Sequence, residues 1–565
     1  MTTTPPDTDV HAQLADLGER YFATEHTYDP YNATLLGIAE FDHLPGDPSE
    51  DASERAGADL AAIAEAAAAL PVDRLDGAGR VDHGVLTALV RGAQQDAEHS
   101  LWAANASAKG YVSRQGLVFQ AVPAMTVADQ AAADRYLARI GGLGGTFAAL
   151  ADRYLLEASR GRVPTAMGVR HSIEQLEGYL ALPLDDDALL TAVRGTPWFD
   201  AARALVDERV RPAMSALAER LRVELHPLAR PDDRVGISTI PGGAEGYAAA
   251  VARHTTTALT PDAIHRIGLD ELELLREQWA TIGQRALGLT EPVEIAARLR
   301  TDPALRFRTT DEIIGYAQAA LDRAEAARPA AFPAYDITAC TLEPINPIDA
   351  GSSALGYYRP PAVDGSRPGA FCLLADEPEQ RYRYEYEALT FHESVPGHHM
   401  QLAMAQQLDV PRYRRYLDVE ACSFNEGWGL YSEELADELG LYSDDVARLG
   451  MLSMRALRAC RLVVDTGIHH LGWSREQAVQ FMLANTAATE EHVRSEVDRY
   501  IAWPGQALAY MIGRREILRL RAAAQGALGD RFDLIGFHDT VLGNGAVPLT
   551  VLGGVVTQWQ ERTAA

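Results

Sequence analysis

The chain has 565 residues, 47% of them hydrophobic, so it is long enough for several domain-sized cores and apolar enough to bury them. A formal net charge of −28 repels phosphate backbones and anionic lipid, which excludes a nucleic-acid-binding role. The four cysteines, Cys340, Cys372, Cys422 and Cys460, stand far apart, which excludes a disulfide scaffold and a cysteine-held metal.

Residues 1–9 are polar and rich in Pro and Thr, without the basic start and apolar run of a secretory signal. No apolar run reaches membrane-spanning length. Both observations point to a cytoplasmic protein with no membrane partner. From about residue 10 to 225, apolar residues recur three and four apart, which predicts helices throughout, the alanine-rich residues 58–70 among them. Residues 224–243 break the pattern with Pro227, Pro231, Pro241, Gly242 and Gly243. Thr260-Pro261-Asp262 then marks a helix start, because Thr260 can cap and Pro261 suits the first helical position. Over 328–380 prolines and glycines are dense, and the run 369–374 reads as one strand of a small sheet. Helical character returns near Tyr384 and continues to the end, with breaks near Pro411, Gly440, Pro504 and residues 543–548. The organisation expected is a helical region over 1–240, a second over 241–327, a β-containing segment over 328–380 and a helical region over 381–565 carrying the site, all forming one catalytic unit.

Sixteen histidines are spread along the chain, but only one cluster joins them to a glutamate at short spacing: His392-Glu393-Ser394-Val395-Pro396-Gly397-His398-His399. A zinc hydrolase needs two neutral imidazoles, a third ligand and a carboxylate beside the attacking water. A regular helix cannot supply the pair here. Six residues turn it through about 600° and advance it roughly 9 Å, so His392 and His398 would point about 120° apart. His399 returns to the face of His392, but about 10.5 Å along the axis. Pro396 removes a backbone donor and clashes with the preceding turn, and Gly397 frees the backbone, so the helix is expected to bulge or kink and bring His398 round. His398 is the preferred second ligand and His399 the alternative. The third ligand is expected on the next helix, at Glu426; the competing reading places Ser423 and Glu426 in a capping box. Glu433 and Glu434 are further candidates, as ligands or as carboxylates that orient a histidine. Near the C-terminus Gln506, Tyr510 and Arg514 recur at a spacing of four, either as a solvated stripe or as a source of an oxyanion-stabilising hydroxyl and a carboxylate-binding guanidinium.

The run from Phe391 to Gln401 resembles the signature of a bacterial family known as domain of unknown function 885, which is grouped with zinc peptidases whose third ligand is glutamate. Matching stretches include Asp29-Pro30, Thr255-Thr256-Thr257, Tyr357-Tyr358-Arg359-Pro360-Pro361, Ser366-Arg367-Pro368-Gly369, Glu426-Gly427-Trp428-Gly429-Leu430-Tyr431 and Pro504-Gly505-Gln506-Ala507-Leu508-Ala509-Tyr510. The region is also similar to the thimet oligopeptidase group, with two residues inserted into its H-E-x-G-H core. The resemblance implies a mainly α fold: a two-lobed helical shell around a deep channel, with a small β-sheet beside the metal-binding helix. It implies that the strand near 369–374 pairs with an extended substrate; the substrate-contact candidates are Tyr357, Tyr358, Gly369 and Ala370 in that region and Arg499 before Pro504.

The expectation is therefore a zinc-dependent peptidase acting on short peptides. His392, His398 and Glu426 hold the ion, Glu393 is the general base, and Tyr510, with Arg514, steadies the oxyanion. The competitors are a metal-dependent hydrolase of non-peptide amides or esters, and a catalytically silent peptide-binding protein.

Overall fold

The computed structural model describes residues 9–109, 112–345, 355–361, 367–415, 417 and 419–565. Residues 1–8, read above as lacking a secretory signal, and Ser366 lie outside them. The fold is mainly helical, with one three-stranded sheet. Among the described residues, no helix is long and apolar enough to cross a membrane.

The chain forms two compact units. The first comprises Met1–Ala250, Ile468–Glu476 and Val497–Pro504; the second comprises Val251–Gly467, Gln477–Glu496 and Gly505–Ala565. The first is built on α1 (Gln130–Ser159), started by the Asp129 side chain, which accepts from Ala132 N–H. Tyr136, Ile140, Leu143, Phe147, Leu150 and Tyr154 recur three and four apart along α1 and form one buried face. Arg139, on the same helix, is fully buried. It donates to the carbonyls of Leu44 and Phe41, both at 2.8 Å, and to Thr34 Oγ1 at 2.6 Å.

The second unit carries all the helices of interest. α2 (Pro261–Leu287) starts as expected, with Thr260 accepting from Ala263 N–H. α3 (Thr310–Ala327) and α4 (Arg383–Glu393) cover one face of the sheet. The strands are β1 (Thr341–Pro344), β2 (Gly356–Arg359) and β3 (Ala370–Leu373), in the order β1-β3-β2, with β1 parallel and β2 antiparallel to β3. β3 is buried on both faces. Phe371 and Leu373 pack against Phe307, Ile313, Tyr386 and Leu389, while Ala370 and Cys372 pack with Ile345 on the other side. This explains why its sequence is an unbroken apolar run rather than an alternating one.

The strand assignment corrects one expectation. β3 is central, hydrogen-bonded on both sides, so it has no edge to offer an extended substrate. Ala370 is fully buried, and the Gly369 carbonyl already accepts from Thr341 N–H at 3.0 Å. The interruption at Pro396 is also more complete than a bulge. α4 ends at Glu393, and α5 (His398–Ala405) begins only after a turn. A Cβ at position 397 would lie 1.9 Å from the His392 carbonyl, so only glycine lets the chain double back there.

Candidate metal centre

α4, α5 and α6 (Cys422–Glu438) meet at three side chains. His392 Nε2 lies 3.3 Å from Glu426 Oε2, and His398 Nε2 lies 3.7 Å from the same oxygen. The imidazole rings are 4.8 Å apart and nearly perpendicular, at 89°. The three donor atoms all lie within 4.8 Å of one another.

Local sequence explains each placement. The turn between the two histidines is pinned by Trp428, whose indole Nε1–H donates to the Pro396 carbonyl at 2.9 Å. His399 N–H reaches back to the Ser394 carbonyl at 3.1 Å, which closes the turn and starts α5. Gly429 makes the room for His392: a Cβ there would stand 2.7 Å from His392 Nε2. α6 in turn lies against α8 (Ala509–Leu528) through glycines, since a Cβ on Gly427 would be 2.6 Å from Gly513 Cα. Glu426 does not cap its helix. The residue at the N-cap position is Ala421, with no side-chain capping bond, and the Ser423 hydroxyl is 3.1 Å from that of Thr256.

The second nitrogen of each ligand-candidate histidine is also held. His392 Nδ1 is 2.9 Å from Glu433 Oε1, and His398 Nδ1 is 3.3 Å from Gln401 Oε1. An acceptor at Nδ1 places a proton there and leaves Nε2 to face the cluster. His399 differs. Tyr358 Oη–H donates to its Nδ1 at 3.0 Å, and its Nε2–H donates to the Thr338 carbonyl at 2.9 Å. Both nitrogens are occupied, and burial pushes the ring down to about 4, so His399 is a neutral tie between sheet and helix.

Electrostatically, the cluster is a compensated set of buried charges. Burial works against the charged form of His392, yet hydrogen bonds with Glu426 and Glu433 and the charge of Glu393 outweigh it and hold the ring up at about 9. His398 is raised in the same way, chiefly by its Glu426 contact against the effect of burial. Burial would raise Glu426, but the two imidazoles hold it well below the usual carboxylate range. Glu393, next in sequence to His392, is 9% exposed, and burial raises its carboxyl above the ordinary value.

These donors fit a zinc ion. Bonds of about 2.0–2.1 Å to imidazole and carboxylate in a tetrahedron put neighbouring ligand atoms roughly 3.3–3.4 Å apart, close to the two contacts above. The set of two imidazoles and one carboxylate has the borderline character zinc favours.

A family model described as "Bacterial protein of unknown function (DUF885)" matches residues 30–556. The chain belongs to this family. Two solved structures are similar to this chain over nearly their whole length. "The putative lipoprotein from Colwellia psychrerythraea" is 27% identical, with 98% of this chain and 99% of that one covered and a TM-score of 0.88. "A putative lipoprotein of unknown function from Shewanella oneidensis" is 18% identical, with 96% and 99% covered and a TM-score of 0.78. None of the curated proteins matches the chain.

The other candidate residues of this DUF885 member are placed as follows. Tyr357 on β2 is 46% exposed, and Tyr358 is committed to His399. Arg499 belongs to the first unit, where its guanidinium lies over the Tyr500 ring. Tyr510 is partly buried beneath the Arg461 guanidinium, 4.3 Å from its ring centre. Arg514 is buried and paired, Nε to Glu434 Oε2 at 2.8 Å and Nη1 to Glu271 Oε2 at 3.7 Å. Arg514 thus turns Nε and Nη2 to Glu434 and Nη1 to Glu271. Gln506, in a short turn before α8, is buried with its amide on Cys422 Sγ at 3.2 Å, so the expected stripe is neither solvated nor continuous. Sequence reasoning missed Arg458, which approaches Glu433 at 3.7 Å. Nothing in its local pattern distinguishes it from any helical arginine.

Proposed function

We propose that this protein is a zinc-dependent hydrolase of peptide bonds, with His392, His398 and Glu426 as the residues that would hold the ion. The observation that carries the reading is the convergence of two Nε2 atoms and one carboxylate oxygen within 4.8 Å, beside a buried glutamate that is adjacent in sequence to a ligand. Zinc, when bound, supplies a Lewis acid for the scissile carbonyl and lowers the pKa of the attacking water.

The chain's own residues do the rest. Glu393 takes the proton of the attacking water on a carboxylate oxygen and delivers it to the departing amine nitrogen. Its burial keeps bulk water away and raises its basicity, which suits a proton carrier. Glu433 and Gln401 hold the Nδ1 protons of His392 and His398, so both rings keep Nε2 turned to Glu426. Tyr510 remains the candidate for stabilising the oxyanion. A short-peptide preference is part of the proposal and rests on the similarity to the thimet oligopeptidase group. A cytoplasmic site of action is proposed as well, in keeping with four cysteines that all remain thiols.

The deciding experiment is metal content by mass spectrometry on protein purified without added metal or chelator, beside His398→Ala, followed by a peptide-library screen. About one zinc per chain, lost in the variant, together with cleaved peptides, supports the reading. A wild type that stays metal-free after zinc is offered overturns it and favours the silent peptide-binding alternative.

A further inference from the structure

Glu433 is nearly inaccessible, with its side chain 2% exposed, and its contact with His392 is the one that orients that ring. A buried carboxylate needs compensation. The His392 Nδ1–H meets only one of its two oxygens, which leaves the carboxylate to draw on a cation packed beside it.

Arg458, on α7 (Asp445–His469), stands in that position. Its Nη2 is 3.7 Å from Glu433 Oε1, the same oxygen that faces His392 Nδ1, and its side chain is only 6% exposed. Its Nη1 donates to the Met454 carbonyl one turn back, at 3.3 Å. Two buried atoms of this pair have no hydrogen-bond partner among the described residues: the Arg458 Nε donor and the Glu433 Oε2 acceptor. They are complementary. A guanidinium meeting a carboxylate with two parallel hydrogen bonds uses one more donor and one more acceptor than the single long contact does.

We propose that Arg458 is a positioning residue for the metal centre. It anchors the Glu433 carboxylate, and through that carboxylate it fixes His392 with Nε2 turned toward Glu426 and His398. The proposal rests on the zinc reading above. It extends that reading by assigning the cation that anchors the buried carboxylate orienting His392.

The test is zinc affinity of the full chain, measured by competition with a chromophoric chelator, for wild type, Arg458→Gln, Arg458→Lys, Glu433→Gln and the double variant Glu433→Gln/Arg458→Gln. Arg458→Gln is expected to bind zinc about tenfold more weakly. Arg458→Lys keeps the charge and is expected to lose less. In the Glu433→Gln background, Arg458→Gln is expected to add no more than about a twofold loss, because the two residues act as one element. A folded Arg458→Gln that binds within about twofold of wild type overturns the proposal, as do fully additive losses or a lysine variant as weak as the glutamine one. If Arg458→Gln alone does not fold, the double variant decides. Restored folding supports the pair, and continued failure overturns it, since Arg458 would then serve the fold by another route. A wild type that binds no zinc overturns the metal reading and this proposal together, whereas wild-type binding with unchanged variants overturns this proposal alone.

Discussion

In the first unit, His469 is fully buried, with its Nδ1 accepting from Ile237 N–H at 3.1 Å and its Nε2–H donating to the Tyr500 carbonyl at 2.9 Å. In the second, His392 is almost equally buried, at 2% exposure, but its nitrogens face the carboxylates of Glu433 and Glu426. Neutral backbone partners suit a neutral ring, and burial pushes His469 down to about 4. Carboxylate partners suit a cation, and His392 is held up at about 9 against burial. A narrower contrast separates the buried arginines. Both stand beside a carboxylate, Arg139 at 3.8 Å from Asp42 and Arg458 at 3.7 Å from Glu433, but Arg139 also donates to carbonyls and a hydroxyl through Nε and both terminal nitrogens, while Arg458 keeps Nε unpartnered. One histidine sits among neutral backbone groups, and the other among carboxylates.

The sharpest way to break that contrast is to remove charged groups from the second region one at a time. Glu393→Gln should keep one equivalent of zinc and lower peptide hydrolysis by about 10²–10⁴-fold; retained full turnover removes Glu393 from the base role. Arg514→Met tests whether the Arg514–Glu434–Glu271 network belongs to the structural side of the comparison. It strips Glu434 of its nearest cation, leaves buried Glu271 to Arg455 and Arg515, and should cost about 3 kcal/mol in denaturant unfolding, with zinc content unchanged. Loss of zinc with full stability would return Arg514 to the site.

The third prediction concerns pH, and the two histidines contribute with opposite signs. The folded-state value of His469 lies below the unfolded value of roughly 6.5, so its contribution is present above that pH and is lost as pH falls toward about 4. Full loss amounts to about 3 kcal/mol, and His469→Gln should flatten the acid limb by that order. An acid limb of unchanged slope in the variant assigns the sensitivity elsewhere. His392 works in reverse in metal-free protein: its contribution is present below about 6.5 and is lost as pH rises through about 9. The smallest expected effect comes from Gly429→Ala, whose methyl would press on the His392 ring and weaken zinc binding by about 10–100-fold. Unchanged affinity would show that the ring has room to move.

The motif from His392 to His399 was legible because Pro396 and Gly397 cannot sit inside a helix without a break, and the break is where a second ligand can swing round. The kind of break was not legible, because the turn depends on Trp428 in a later helix holding the Pro396 carbonyl. The start of α2 was readable from Thr260 and Pro261, whose effects are local. The competing capping-box reading of Ser423 and Glu426 fails for the opposite reason: the Ser423 hydroxyl lies against that of Thr256, distant in sequence, and the carboxylate of Glu426 turns to the histidines. The three-stranded order was hidden because β1 and β2 are four residues each, too short to show a period. Arg458 was hidden because its role depends on which helix packs over Glu433, and no spacing encodes that.

The turn between α4 and α5 also changes what a sequence search for metal sites can find. In a continuous helix the ligand interval is a fixed quantity dictated by pitch. Here the interval between the two histidines is set by a tether clamped by an indole, so helix pitch does not dictate it.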